Sequence, residues 1–193
     1  NGDGIFAIST AGVITVADAT NLDYESDNSY TLTIVAYDSS SSDVEDLTIS
    51  IGNVNDAPTV SSAQAAVSTA EDAVYSLDVS GNFDDEDTAD TLSFTATGMP
   101  STMTMSTAGV LSGTPVNADV GAHTVIVTAT DDGTGTLTVT DTFVLTVTNT
   151  NDAPTVTGAL SAASTAEDGS YSLDVSSMCT DVDVGDSLAY TMS

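Results

Sequence analysis

The chain of 193 residues contains no lysine and no arginine, and this absence limits what it can do more than any other feature. Its 29 Asp and Glu residues give a formal net charge of −29, so no carboxylate has a Lys or Arg side chain to pair with. Neutralising nucleic-acid phosphates or attaching to an anionic lipid surface requires those side chains. We therefore expect no nucleic-acid partner, and cations from solution must offset the repulsion among the carboxylates.

Three other groups are scarce or missing. Cys179 is the single cysteine and cannot form an intrachain disulfide, so the usual covalent stabiliser of secreted domains is absent and metal binding is the obvious substitute. No run of about 18 apolar residues predicts membrane insertion of this segment. Tryptophan is absent and aromatic residues make up 5% of the chain, so a carboxylate pair would lack the aromatic platforms of a glycosidase. We expect no enzymatic activity and no catalytic residues.

A repeat of about 96 residues organises the chain. The strings NDAPTV, STAED and YSLDVS each occur twice with an offset of 96, beginning at Asn55, Ser68 and Tyr75 in the first copy, and STAGV recurs with an offset of 97. Drift-free spacing indicates one folded unit per period. Residues 155–193 followed by 1–58 would make one complete repeat, so we interpret the chain as a two-repeat window from a longer array.

Alternation of apolar and polar residues predicts β-strands and no helices. Thr, Val, Ile and Tyr dominate these runs, whereas Gly, Asn, Asp, Ser and Pro fill the stretches between them. Several short strands per repeat indicate an all-β fold of tandem antiparallel Greek-key β-sandwiches. Pro58 and Pro154 predict short, extended joints between repeats. The predicted strands are Tyr30–Tyr37, Leu47–Ile51, Val125–Ala129, Leu137–Val139 and Phe143–Val147.

Acidic residues cluster where one repeat would meet the next. Like charges held within a few ångströms cost free energy unless a cation lies between them. Calcium suits such a cluster because it takes roughly six to eight oxygen ligands in flexible geometry, and Asn53 and Asn55 would add neutral oxygens. Zinc would need nitrogen or sulfur ligands, and His123 and Cys179 are far apart in sequence. The clustered acids are Asp23, Glu25, Asp56, Asp85 and Asp87.

The motifs resemble those of cadherin-like repeats in large calcium-binding surface adhesins of bacteria. Residues 1–58 resemble the later two-thirds of a cadherin repeat, through IFAISTAGVITV, LDYE, VAYD and NVNDAP. Residues 59–154 resemble a complete dystroglycan-type cadherin-like, or Ig-like, repeat, through FDDEDTADTL, GVLSGTPVNADVG, TATDD and NTNDAP. Residues 155–193 resemble the N-terminal part of the next repeat. These boundaries define the three predicted domains.

The resemblance implies two sets of calcium ligands. At the first joint, Asp23, Glu25 and Asp56 would bind with the backbone carbonyl of Asn55, and Asn53 stands where cadherins usually place an aspartate. Asp85 and Asp87 match the acid-x-acid motif of the following repeat, and Asp131 matches its later A-x-D ligand. The second joint repeats the scheme with LSGTP in place of LDYE, which favours fewer ions or weaker binding. Its ligands would be Asn149, Asn151, Asp152, Asp181 and Asp183, while Glu71 and Glu167 would join the far end of each repeat.

These observations favour a calcium-rigidified stalk or fibre segment of an extracellular adhesin. Its partners would be neighbouring repeats of the same chain, with identical chains in a fibre, or a cell-surface glycan or protein bound through other domains. Calcium affinities of extracellular modules, with dissociation constants of about 10⁻⁴ to 10⁻³ M, suit a secreted, cell-surface location. Two alternatives stay open: a self-assembling extracellular filament subunit, and a glycan-binding or protein-binding module.

Overall fold

The computed structural model describes residues 4–192, which form 15 β-strands, short 3₁₀ turns and no α-helix. The prediction of an all-β fold is confirmed. The chain divides into two compact units. The first unit holds the described part of Asn1–Thr59 together with Phe83–Ser93 and Ala129–Val139; the second holds Val60–Asn82, Phe94–Thr128 and the described part of Thr140–Ser193. Within residues 4–192 no helix has the length and apolar character needed to cross a membrane.

Two antiparallel hairpins dominate the first unit. The shorter hairpin pairs β1 (Phe6–Ile8) with β2 (Ile14–Val16), and the longer one pairs β3 (Ser29–Tyr37) with β4 (Ser42–Ser50). Phe6 packs edge-to-face on Tyr30 with ring centroids 5.3 Å apart. Leu32 is buried between its polar neighbours, as expected of alternating strand faces.

Residues 59–156 and the described residues after them supply the other strands. The strands are β5 (Thr59–Val60), β6 (Val67–Ala70), β7 (Tyr75–Asp78), β8 (Phe83–Asp84), β9 (Ser93–Thr97), β10 (Met103–Met105), β11 (Val110–Gly113), β12 (Gly121–Thr130), β13 (Thr138–Thr148), β14 (Thr155–Val156) and β15 (Cys179–Thr180). Three of them form one sheet in the order β10, β11, β7, and four form another in the order β6, β13, β12, β9. Two further pairs join β5 with β8 and β14 with β15.

Buried side chains of this repeat come from both sheets. Leu111 lies in the three-stranded sheet, whereas Phe94, Val125 and Leu145 lie in the four-stranded sheet, and all four are buried. One pairing departs from the antiparallel prediction, because β6 runs parallel to the end of β13, with Val67 opposite Leu145. A parallel pair needs a long connection, which here is the rest of the repeat between the two strands.

The sequence pattern predicts two separate strands, Leu137–Val139 and Phe143–Val147, with the polar residue Asp141 between them. The structure has one strand instead, because β13 runs unbroken through Asp141. Asp141 is buried, and its Oδ2 accepts a hydrogen bond from the Gln64 N–H at 2.7 Å. This contact satisfies the carboxylate inside the sheet, and local pattern reasoning has no access to it.

The same turn occurs in both units with different surroundings. Gly12 and Gly109 occupy equivalent positions in the repeated STAGV string and have positive φ values of 82° and 87°. A Cβ at Gly12 would meet open space, whereas a Cβ at Gly109 would lie 2.9 Å from Ser80 Cβ and 3.1 Å from Phe94 Cδ2. The backbone conformation is shared, but of the two glycines only Gly109 is packed against neighbouring side chains.

We expect Gly109→Ala to reduce the free energy of unfolding by about 1–3 kcal/mol more than Gly12→Ala, because it adds overpacking to the shared left-handed strain. Calorimetry of the wild type and both variants in the same buffer measures the two losses. Equal losses would contradict the packing difference, since Gly12→Ala serves as the control for backbone strain alone.

Candidate metal centre

At the first predicted joint between repeats, called the first junction below, linker residues 53–58 lie against the acidic loop after β8. Asp87 is buried, and its two carboxylate oxygens accept separate hydrogen bonds from the linker. The Asn53 side-chain amide donates to Oδ1 at 2.7 Å, and the Asp56 backbone N–H donates to Oδ2 at 2.7 Å. The Asp87 N–H in turn donates to Asp85 Oδ1 at 3.1 Å. The acid-x-acid motif thus holds the linker and turns its carboxylates toward one region.

A second loop, after β12, closes the other side of the first junction. Asp131 is buried and accepts hydrogen bonds from the backbone N–H groups of Gly133 and Leu137, each at 3.1 Å. The Asn55 side-chain amide also donates to Asp131 Oδ2 at 3.2 Å. A Cβ at Gly133 would collide with Asn55 Oδ1 and Asp90 Oδ2, so both oxygens converge on this glycine. Side-chain oxygens of Asn55 and Asp90 therefore occupy the space beside Gly133 that a side chain would need.

Asp23 and Glu25 lie in the segment before β3. Asp23 caps its own turn, with Oδ1 accepting from the Glu25 N–H at 2.9 Å and Oδ2 accepting from Ser26 Oγ at 2.8 Å. These hydrogen bonds hold the pKa of Asp23 below its ordinary value. Partial loss of solvent raises the pKa of Glu25, and contact with the Asp87 carboxyl raises it further. Glu25 therefore reaches the acid-x-acid motif, whereas Asp23 shapes the turn.

Electrostatics divide the carboxylates of the first junction into two kinds. Hydrogen bonds from Asp56 and Asn53 hold the pKa of Asp87 below its ordinary value. Burial raises the pKa of Asp85, and the charges of neighbouring carboxylates raise it further. Burial and neighbouring acids act the same way on Asp90. Asp85 Oδ2 and Asp90 Oδ2 are buried without a hydrogen-bond partner, which is costly for an ionised group.

The second junction repeats the central contact of the first. The Asp152 N–H donates to Asp183 Oδ2 at 2.7 Å, and the Asp183 N–H donates to Asp181 Oδ1 at 3.0 Å. Asp183 is buried, and Asn117, two residues after the LSGTP segment (residues 111–115), donates to its Oδ1 at 3.3 Å. Burial raises the pKa of Asp152, with the charge of Asp72 as the next cause. An amide that follows the LSGTP segment thus reaches Asp183.

Glu71 lies at this second junction and is only 2% exposed. Its Oε1 accepts the Thr150 N–H at 2.8 Å, while Oε2 is buried without a partner. Glu71, Asp72 and Asp152 each offer an oxygen within 4.8 Å of the others, as do Asp181, Asp183 and Asp186. Among residues 4–192 these two groups are the compact carboxylate triads, and both belong to the joint for which the sequence predicted fewer ions or weaker binding.

Several predicted ligands contribute little to the two acidic clusters, and several residues of the clusters were not predicted. Asn149 and Glu167 are exposed, and the Asn151 amide donates to the carbonyl of Asp152 at 2.9 Å. Asp72, Asp90 and Asn117 lie inside the quoted strings STAED, FDDEDTADTL and GVLSGTPVNADVG, but the resemblance assigns no ligand role to them. Asp90 and Asp186 are 96 residues apart, so the repeat carried a signal for this pair. The missed residues are Asp72, Asp90, Asn117 and Asp186.

The donor set fits calcium. Every candidate atom is a carboxylate, amide or carbonyl oxygen, which a hard divalent cation prefers. Within residues 4–192 three buried carboxylate oxygens have no hydrogen-bond partner, and the sequence provides no Lys or Arg side chain to pair with them. His123 lies outside these clusters, with its Nε2 2.7 Å from the Asp119 carbonyl oxygen. Residues that would hold the ion are Glu25, Asp85, Asp87, Asp90 and Asp131 at the first junction, and Glu71, Asp72, Asp152, Asp181, Asp183 and Asp186 at the second.

The stability effect of Asp85→Asn is expected to change sign with calcium. In calcium-free buffer at neutral pH the variant should melt above the wild type, because it removes a charge whose pKa is raised by burial. This gain in stability over the wild type is absent below the ordinary aspartate pKa of 3.8. It grows as the pH rises above 3.8 and is complete above the raised pKa of the folded state. In excess calcium the variant should melt below the wild type. Melting curves over a pH series, with and without calcium, test both signs.

Asp43→Asn is the matched control, because Asp43 is exposed on β4 and bonds only to the next residue's N–H at 3.0 Å. It should leave the calcium response unchanged. An Asp85→Asn variant that behaves like Asp43→Asn under all conditions would show that the first junction does not bind the ion.

Glu71→Gln should weaken calcium binding by about tenfold or more, which is the usual scale for groups at metal sites. The reason is that it replaces the charged carboxylate whose Oε2 has no hydrogen-bond partner. The amide still accepts the Thr150 N–H, so the calcium-free fold should be retained. Glu167→Gln changes the equivalent, exposed residue 96 positions later and should have little effect. Isothermal titration calorimetry compares the two, and equal affinities would contradict the assignment of Glu71.

Comparison with known protein families identifies part of the chain. Residues 57–148 match the family described as "Putative Ig domain". A search of curated protein sequences found no match. The match covers a little under half of the chain and includes both sheets of the complete β-sandwich.

Solved structures of cadherin domains share the fold. Mouse cadherin-23 repeats EC22–24 superpose with a TM-score of 0.61 at 22% identity, covering 78% of this chain and 51% of that one. Protocadherin gamma B2 domains 3–6 give 0.56 at 25% identity, covering 78% and 40%. Human mucin-like protocadherin EC1–2 gives 0.55 at 19%, covering 76% and 79%. The chain thus spans about half of the cadherin-23 fragment, and its fold is that of cadherin-like and Ig-like domains.

Proposed function

We propose that this chain is a calcium-stiffened segment of an extracellular adhesive stalk, built from the repeats 1–58, 59–154 and 155–193. In this proposal its role is mechanical: it sets the reach and stiffness of a larger surface adhesin of bacterial type. Similarity to cadherin domains supports an adhesion-related, non-enzymatic module. The repeats of one chain are then each other's principal partners.

The observation that carries this proposal is one hydrogen bond made twice. The N–H of the aspartate in NDAP donates to the second acid of the acid-x-acid motif at 2.7 Å, both at Asp56 and at Asp152. In each case a linker residue is fixed to a carboxylate 31 positions later. Ionised acids beside a rigid linker are the arrangement that a bridging cation requires.

The chain's own residues would order the joint in steps. Asp87 and Asp183 hold the linker through its N–H groups, so the neighbouring carboxylates converge before any cation arrives. Asp85, Asp90 and Glu71 keep one oxygen each without a partner at that stage. Calcium, when bound, supplies the positive charge that this sequence lacks. The free energy gained from relieving the repulsion would then oppose bending at the joint.

In this proposal the affinity for calcium determines where the stalk becomes stiff. Extracellular calcium modules have dissociation constants of about 10⁻⁴ to 10⁻³ M, well above the concentrations at which cytosolic sensors bind. A stalk of this kind would be soft where calcium is scarce and stiff outside the cell. The high acidity, with 29 acidic residues and no Lys or Arg, also suits salty surroundings that screen repulsion between chains.

Calcium should stabilise the 193-residue chain and narrow its range of shapes. At ten times the dissociation constant, one site adds about 1.4 kcal/mol to the free energy of unfolding. We expect calorimetric melting to shift upward with calcium, and small-angle X-ray scattering to show a single extended shape that becomes a broader ensemble when calcium is removed.

Magnesium at the same concentration and ionic strength is the control, because it requires near-ideal octahedral geometry and should act more weakly. A melting temperature and scattering curve that respond equally to both ions would reduce the effect to general charge screening. No response to either ion would reject the stalk mechanism.

A further inference from the structure

The second acid of the acid-x-acid motif has different partners at the two junctions. At both, its Oδ2 accepts the N–H of the NDAP aspartate at 2.7 Å. At the first junction Oδ1 of Asp87 accepts the amide of Asn53, which belongs to the linker. The residue 96 positions after Asn53 is Asn149, which is exposed, and Oδ1 of Asp183 accepts the amide of Asn117 instead. The second contact on Asp183 therefore comes from the complete repeat itself and not from the linker.

Asn117 lies in a loop whose conformation is fixed by hydrogen bonds within the complete repeat. It begins the 3₁₀ turn Asn117–Asp119 between β11 and β12. Asp119 is buried, and its carboxylate accepts hydrogen bonds from the Ser101 N–H at 2.9 Å, from Thr102 Oγ1 at 2.6 Å and from the Val116 N–H at 3.2 Å. These contacts attach the turn to the chain before β10. Asn117 therefore reaches Asp183 from a backbone position that requires no cation.

The same loop is joined to the carboxylate triad of Glu71, Asp72 and Asp152. The Pro115 carbonyl accepts the Asp72 N–H at 2.8 Å, and the Thr150 N–H of the linker donates to Glu71 Oε1, also at 2.8 Å. Glu71 Oε2 keeps no hydrogen-bond partner. The acids of the second junction are thus held in place by hydrogen bonds between protein groups, which form without an ion.

The first junction has a contact of the opposite kind at the equivalent acid. Glu25, in the LDYE segment before β3, is in contact with the Asp87 carboxyl. Two carboxylates in contact repel each other unless a proton or a cation lies between them. At the second junction the side chain that reaches the acid from the preceding repeat is the Asn117 amide, which donates a hydrogen bond to Asp183. Without an ion, the contact between repeats is therefore repulsive at the first junction and attractive at the second.

We propose that Asn117 is a calcium-independent latch between two repeats. Its hydrogen bond to Asp183 holds the complete repeat to the following one before calcium binds, so the second junction is ordered at calcium concentrations at which the first is flexible. The comparison with the first junction rests on the calcium-stiffened stalk proposed above, whereas the latch itself does not. Asn117 is a positioning residue, because it fixes Asp183 without having to touch the ion.

A chain with two kinds of junction stiffens in steps as calcium rises. The first junction gains most of its order from the ion, which removes the repulsion between Glu25 and Asp87. The second gains less, because part of its order is present beforehand. The acids around Glu71 still bind calcium there, so the latch changes the gain in order and not the number of ions. The stalk therefore retains one ordered joint when calcium falls.

Amide hydrogen exchange of the 193-residue chain, followed by NMR in chelator and in about 10 mM calcium, tests the latch. The Asp152 N–H is the reporter, because it is bonded to Asp183. In chelator, Asn117→Ala and Asn117→Asp should each speed its exchange by about tenfold or more, the scale of one hydrogen bond to a charged group. Calcium should restore protection in both variants, since the acids that hold the ion are intact. Thr104→Asp, at an exposed position in β10, is the control for the added charge and should exchange like the wild type.

A reciprocal variant should make the first junction resemble the second. Glu25→Gln replaces the carboxyl that contacts Asp87 by an amide, so the Asp56 N–H should exchange about tenfold more slowly in chelator. Wild-type exchange at Asp152 in Asn117→Ala, or no slowing at Asp56 in Glu25→Gln, would overturn the latch. If calcium leaves Asp56 exchange unchanged in the wild type while Asn117→Ala still speeds exchange at Asp152, calcium stiffening is rejected and the latch is retained.

Discussion

The constraint behind this structure is that 29 carboxylates must be accommodated without a single lysine or arginine. Hydrogen bonds from N–H and O–H groups meet part of the demand. Burial alone would raise the pKa of Asp119, but hydrogen bonds from Thr102, Val116 and Ser101 bring it below its ordinary value. Asp141 is buried in the same manner, with the Gln64 backbone N–H as its donor. These two acids hold loops and strands together and need no cation.

In a second group of acids, one carboxylate oxygen of each is buried and the fold supplies no donor to it. Asp85, Asp90 and Glu71 each bury an oxygen without a partner, and burial raises the pKa of the first two. An uncompensated charge in a protein interior is unstable unless it takes up a proton or a cation. An unpartnered buried oxygen therefore marks these three acids as candidate ligands independently of their position in a motif. Glu71 and Glu167 have the same sequence context, yet only Glu71 is buried.

Repetition of sequence does not produce repetition of environment in this chain. The two STAGV turns share their backbone conformation, but Gly109 is packed and Gly12 faces open space. The same holds for Phe94 and Tyr190, and for Phe143 and Leu47. A β-sandwich buries a residue only when both of its sheets are present.

The sequence alone determined the all-β fold, the period of 96 and the recurrence of acids in the NDAP and acid-x-acid motifs, because alternation, turn residues and exact recurrence are local properties. It also singled out Asp56, Asp87, Asp152 and Asp183, which the structure joins in two pairs by hydrogen bonds. Tertiary structure decided the rest: that β13 continues through Asp141, that β6 pairs in parallel with β13, and that Asp90, Asp186 and Asn117 join the acidic clusters. Each depends on a contact between residues far apart in sequence. Local periodicity carries no information about such contacts, because the donor or partner strand is chosen only when the sheets pack.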